Sequence, residues 1–296
     1  MNDLLTSSLE LFGSTLRVST PLLFAALGGM MSERSGVINI ALEGIMLMGA
    51  FGATTVALAT HSPWLGAVGA VIISVLFTVF YAVSVIELKA NQIVAGMAMN
   101  MLAAGITPFL SKVFYNSSTS TPSLPLELRF QSAPVWAAWI CVLLSWLWMN
   151  HTPSGLWVRF AGEHPEALDS AGVGVKRVRW GAVLMSGCLA GLGGASLSVF
   201  LASSFTRNMT AGRGFMALAA LIFGKWKPIP TALACLFFGF SDAMQIRLQG
   251  VVLWGTEPVP VQFIQILPYL VTVLVLAGVV GQSRAPRALG QPFDQA

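Results

Sequence analysis

The sequence predicts an all-α, polytopic integral membrane protein with about 8–10 transmembrane helices, one or two of them short or discontinuous. Three observations carry that expectation. Only 9% of the 296 residues are charged, against about 25% in an ordinary soluble domain. Mean hydropathy is +0.76. Apolar runs of about 20 residues, the length that crosses a bilayer, recur along the chain.

In chain order, the first span covers Leu11 to Met31, with Arg17 near its start and Pro21 inside it, where a kink is expected. Ser32-Glu33-Arg34-Ser35-Gly36 breaks the pattern. Val37 to Ala59 follows and carries Asn39 and Glu43, and Thr60 to Pro63 is a turn. Trp64 to Ile86 and Ala90 to Leu110 are further spans, separated by Glu87-Leu88-Lys89; the second contains Asn91, Gln92 and Asn100. Lys112 to Pro134 is a Ser-, Thr- and Pro-containing loop suited to water. Val135 to Met149 is a short, Trp-rich, uncharged span.

Trp157 to Arg179 (WVRFAGEHPEALDSAGVGVKRVR) is the longest charged run in the chain. Charges and unpaired backbone cannot lie in hydrocarbon, so this island must reach water. Pro165 suits the first position of a short helix, since its missing N–H costs nothing there. Glu166 and Asp169 lie early in that helix, where acid favours the dipole, and Gly172 is a stop signal. Ala167, Leu168 and Ala171 recur at spacings of three and four, so the segment is either an apolar-faced docking helix or a solvated loop with a helical turn.

Trp180 to Ser203 is a Gly- and Ala-rich span in which Gly187, Gly191 and Ala195 form a small-residue ridge for close helix approach. Gly214 to Gly224 is only half a span. Ile229 to Leu248 contains Asp242 and Gln245, and after the loop Gln249 to Pro260 a last span covers Gln262 to Gly281. The tail Gln282 to Ala296 is polar and expected to be mobile. The two interrupted stretches, Ser35 to Gly52 and Gly212 to Gly224, suggest broken helices bordering a pathway, because irregular backbone at membrane depth survives only against protein or water.

The net charge of +4 is spread out, with no basic stripe for nucleic acid. If the island faces the cytoplasm and the spans alternate, 10 of the 16 basic residues fall on that side. The N-terminus then lies outside and the C-terminus inside, in keeping with the positive-inside bias. Asp3 and Glu10, with no early Lys or Arg, argue against a cleaved signal peptide. Cys141, Cys188 and Cys235 lie in apolar runs without metal or redox spacing and read as small hydrophobes.

Asn39 and Glu43 are four apart and share a helix face, and a carboxylate near membrane depth is either functional or structurally bonded. With Asn91 and Asn100 they are the candidate pathway residues, interhelical bonding being the other role open to the amides. Asp242, Gln245 and Arg247 form a polar group at a helix end. AGLGGAS has no following Lys and sits in a span, so it is not a phosphate cradle. His61, His151 and His164 lie in loops or at span ends, so no nucleophile–base pair at membrane depth supports an intramembrane enzyme. No metal site is expected, and no fuel site: ATP, if used, binds elsewhere.

Three stretches together resemble a known family: SERSGVINIALEGIMLMGAF (Ser32 to Phe51), GEHPEALDSAGVGV (Gly162 to Val175) with the trailing AGLGGA (Ala190 to Ala195), and GRGFMALAALIFGKWKPIP (Gly212 to Pro230). Their order is that of permease subunits of ABC importers for branched-chain amino acids, ribose-type sugars and nucleosides. The ERSGVINIALEG form looks most like the nucleoside-type permeases that work with a basic-membrane-protein-type lipoprotein. The resemblance implies one permease domain over 1–296 in the bacterial inner membrane, with a cytoplasmic coupling segment at about 155–178. It implies that Glu163, His164, Pro165, Glu166, Ala167, Leu168, Asp169 and Gly172 dock on a separate ATPase, which carries ATP and Mg. It further implies a second permease subunit, more often non-identical, a substrate-binding lipoprotein outside, and no catalysis by this chain. The solute expected is a nucleoside, with a sugar or branched-chain amino acid as the alternative. A stand-alone secondary transporter or channel, which would need no docking helix, is the rival of a different class.

Overall fold

The computed structural model describes residues 2–248, 266 and 284–293, with side chains from residue 8 onward. The described residues form helices without a named strand. In order these are α1 (Asn2–Arg34), α2 (Leu42–Thr60), α3 (Pro63–Ala82, continued by a π-helical turn Val83–Glu87), α4 (Gln92–Tyr115), α5 (Ala133–His151), α6 (Pro153–Glu163), α7 (Pro165–Ser170), α8 (Val175–Ala195, continued by a π-helical turn Ser196–Leu201), α9 (Arg213–Phe223) and α10 (Pro228–Leu248). Seven of the described helical stretches are long and apolar enough to span, and α9 is shorter. The expected last span, Gln262 to Gly281, and the loop Gln249 to Pro260 lie outside the described residues except for Ile266.

Burial separates an inner from an outer set. In the most apolar window of α2 and of α8, 78% of residues are buried, against 22% in α4. The inner set, α1, α2, α3 and α8, is built on small residues. A Cβ added to Gly49 of α2 would stand 2.7 Å from the Cα of Gly191, and one on Gly28 of α1 would stand 2.8 Å from the Ser186 carbonyl. The expected ridge thus packs: Gly187 lies against Thr78 of α3, and Gly191 against α2 and Ser74. In lipid, where tails are as apolar as leucine, such close contact rather than water exclusion holds helices together. The outer face of α3 presents Trp64, Leu65, Val68, Ile72, Leu76 and Phe80, all half-exposed or more, as a stripe at helical spacing suited to lipid tails.

Three expectations shift. The second span is helical only from Leu42, because residues 35–41 form turns and irregular backbone, with Gly36 at φ 96°. Lys112 belongs to α4, not to the loop after it. The tail is anchored where it is described: the Ala288 N–H donates to the Gly162 carbonyl at 2.8 Å, the Gly290 N–H to the Gly36 carbonyl at 2.9 Å, and Arg179 Nη1 to the Gln291 carbonyl at 2.8 Å. Cys235 is buried as expected, whereas Cys141 and Cys188 are partly buried; all three are free.

Candidate functional site

The two interrupted stretches meet. Glu43, in the first turn of α2, is 9% exposed, and its two carboxylate oxygens accept from the backbone N–H groups of Gly212 (2.7 Å) and Gly214 (2.6 Å). Those groups open α9, whose cap Gly212 sits at φ 85° and carries no capping side chain of its own. A helix start leaves four donors unpaired and bears partial positive charge. A carboxylate from another helix answers both needs and makes charge-assisted bonds. Gly214 must be glycine, because an added Cβ would come within 2.5 Å of the Glu43 backbone.

The opposite break is held by amides. Asn100 of α4 accepts from the Gly44 N–H at 2.8 Å and donates to the Ile40 carbonyl at 2.9 Å. Gln92 Oε1 accepts from the Ile38 N–H at 2.7 Å, and the Tyr81 hydroxyl donates to the Ile38 carbonyl. Asn39 Nδ2 donates to Ser186 Oγ at 2.8 Å, while its buried Oδ1 has no partner among the described residues. Of the four candidate pathway residues, Asn39, Glu43 and Asn100 therefore gather at one junction. Asn91 does not: it is exposed and caps α4, accepting from Ile93 and Val94. Tyr81 and Gln92 belong to the junction as well; a tyrosine in an apolar span needs a partner for its hydroxyl, and that was the available signal.

Between α8 and α9 the chain descends along α2. The Phe205 ring packs edge-on against Phe51, near the middle of α2, with centroids 5.3 Å apart, and Gly212 reaches Glu43 in its first turn. Residues 203–207 also pair with the loop after α4, through the Ser120–Thr206 bridge and bonds such as Arg207 N–H to the Thr119 carbonyl at 2.8 Å. Thr206, Arg207, Asn208 and Ala211 are exposed on this re-entrant segment. Irregular, polar backbone at this depth cannot face lipid, so this flank borders water or another protein.

The charged island forms a second polar surface. Thr152 caps α6, accepting from the Gly155 N–H at 3.1 Å. Pro165 opens α7 and Gly172, at φ 81°, follows its end, as the residue types dictate. Glu163 ends α6 and pairs with Arg34 at 3.5 Å. His164, Glu166 and Ala167 are exposed, as are Ser170, Ala171 and Gly172, while Pro165 and Asp169 are partly exposed. Leu168 corrects the expected apolar docking face. It is 5% exposed and turns inward into a cluster with Ala161 and Val175, against which the tail residue Phe293 packs. The surface that α7 leaves open is thus short and mixed in polarity. Arg179 is not a loop cation: it lies in α8, 4% exposed, donating to the Ser35 and Gln291 carbonyls. Arg34, Glu163, Arg287 and the tail bonds put this surface on one end of the bundle, whereas Arg247 pairs with Glu10 at the other.

A family model described as the permease component of branched-chain amino acid transport systems matches residues 11–276. The guanosine ABC transporter permease NupQ of Bacillus subtilis is 38% identical, with 95% of each chain covered. The nucleoside ABC transporter permease NupC of Lactococcus lactis is 37% identical over 92% of each. TsgC13 of Haloferax volcanii, whose name assigns it to a glucose ABC transporter, is 32% identical over 96% of this chain and 97% of its own.

Proposed function

This chain belongs to the permease-component family of branched-chain amino acid transport systems, and on that premise we propose that its solute is a nucleoside. It is a membrane-spanning permease subunit of an ATP-driven ABC importer. The observation that carries the solute assignment is the near full-length identity of 38% and 37% to two permeases named for guanosine and nucleosides. A neutral, polar solute also suits the junction, whose carboxylate is engaged by backbone and so presents no free charge there.

The translocation route runs along the re-entrant segment, residues 205–212, and is closed by a second, non-identical permease subunit. The exposed Arg207 and Asn208 support this reading, since they require a wet or protein-covered neighbour. The α7 surface, around Glu166 and Ala167, is where a separate ATPase docks. That ATPase binds ATP and Mg, and its closure moves α6 and α7 as one lever against α8. This end of the bundle is cytoplasmic and the N-terminus lies outside. A lipoprotein delivers the solute from the outer side.

The test is uptake of labelled guanosine by cells carrying the complete system, with unlabelled nucleosides, ribose, glucose and leucine as competitors. Competition by nucleosides alone is expected. Absence of guanosine uptake dependent on this permease, together with uptake of labelled glucose, ribose or leucine, would overturn the solute assignment.

A further inference from the structure

A groove of about 590 Å³ opens between the end of α5, α6 and the first three turns of α8. Its wall is apolar and aromatic: Trp148, Trp157, Val178, Gly181 and Met185 line it, and Arg177 stands at its rim. Trp148 is fixed there by its Nε1 donating to Ser154 Oγ at 2.8 Å. From Arg177 to Met185 the groove follows α8 for about 12 Å, from the charged end of the helix into the apolar span. A concavity with tryptophans at the interface, a cation at the water level and apolar depth matches one amphipathic molecule already present in the surroundings. Two details sharpen the match. Lys176 is engaged by Glu87, whereas Arg177 is exposed and its guanidinium has no hydrogen bond or ion pair among the described residues, only its backbone N–H bonding to the Gly174 carbonyl. Gly181 has nothing within 4 Å of where its Cβ would be, so the groove is open along the helix that forms its floor.

We propose that this groove holds one anionic phospholipid, its phosphate on Arg177 and an acyl chain against Trp148, Trp157 and Met185. The groove backs directly onto the segment 172–174 that joins α7 to α8, so the bound lipid braces the base of α7. The site depends on α8 spanning the membrane, not on the identity of the solute.

The test is native mass spectrometry of the assembled transporter released from nanodiscs of phosphatidylglycerol or phosphatidylcholine. The wild-type complex should retain one tightly held phosphatidylglycerol and little phosphatidylcholine. Arg177→Gln should lower that retention about fivefold, the worth of one basic side chain at an anionic surface. Gly181→Phe should abolish it by filling the groove. Gly105→Leu, on the exposed flank of α4 where an added Cβ also meets nothing, should leave it unchanged. Equal retention of both lipids, insensitive to Arg177→Gln, would overturn the proposal. Should Gly181→Phe fail to assemble, a photoactivatable phosphatidylglycerol on the wild-type complex decides: adducts at Trp148, Trp157 or Met185 support the site. Adducts only elsewhere, or a partner protein cross-linked in the groove, refute it.

Discussion

The junction around Glu43 and the surface around α7 are both polar, yet they treat their polar groups oppositely. At the junction, Glu43, Gln92 and Asn100 bond to backbone of the same chain, and Asn39 bonds to Ser186. At α7, His164, Glu166 and Ser170 are left exposed, and only the apolar Leu168 is turned inward. Inside the bilayer an unpaired donor has no water to turn to, so polar side chains there mend broken helices. Outside it, water satisfies them until a partner arrives. A buried carboxylate in this chain is therefore a stabilising element first, whereas an exposed one is available for recognition.

The largest effect that would break this contrast is at Glu43. Glu43→Ala leaves two donors at the start of α9 unpaired and should destabilise the protein by about 3–6 kcal/mol, since each bond to a charged acceptor contributes about 1.5–3 kcal/mol. Glu43→Gln keeps one acceptor and should cost less. Thermal unfolding in detergent measures both, and a Glu43→Ala protein as stable as wild type would remove the capping role. Next is Asn100→Leu, which unpairs the Gly44 N–H and the Ile40 carbonyl; a loss of about 2 kcal/mol is expected from two neutral bonds. The α7 surface should behave in the reverse manner. Glu166→Lys should leave the melting temperature unchanged while ATPase co-purification falls. Leu168→Ala should lower both, by about 1–2 kcal/mol for the stability term, because the leucine packs at the edge of the bundle rather than in its core. The smallest effect belongs to the Arg34–Glu163 pair. With the Glu163 side chain 40% exposed, Glu163→Gln should change stability by less than about 1 kcal/mol and lose even that in high salt.

The spans were legible because a bilayer imposes length and composition on any helix that crosses it. The breaks were legible too, from Gly36, Gly212 and the half-length run after it. Their meeting was not, since Glu43 and Gly212 lie 169 residues apart, and nothing local announces that one caps the other. Spacing placed Leu168 on an apolar face but could not say which way that face turns. The tail misled because it binds through backbone groups at residues 288, 290 and 291 and through Phe293, features that polar composition hides. Asn91 misled for a similar reason: amides that cap a helix and amides that border a pathway are the same residues in a sequence.

Most weight falls on the proposal that α7 is the surface a separate ATPase engages. The direct measurement is in-cell photo-cross-linking from position 167, with Ala167 replaced by a photoreactive residue in the complete system. The account requires an adduct of the ATPase that persists when the lipoprotein is deleted. An adduct with the lipoprotein, or modification of position 167 by a membrane-impermeant reagent added to intact cells, would place α7 on the outer side and contradict it.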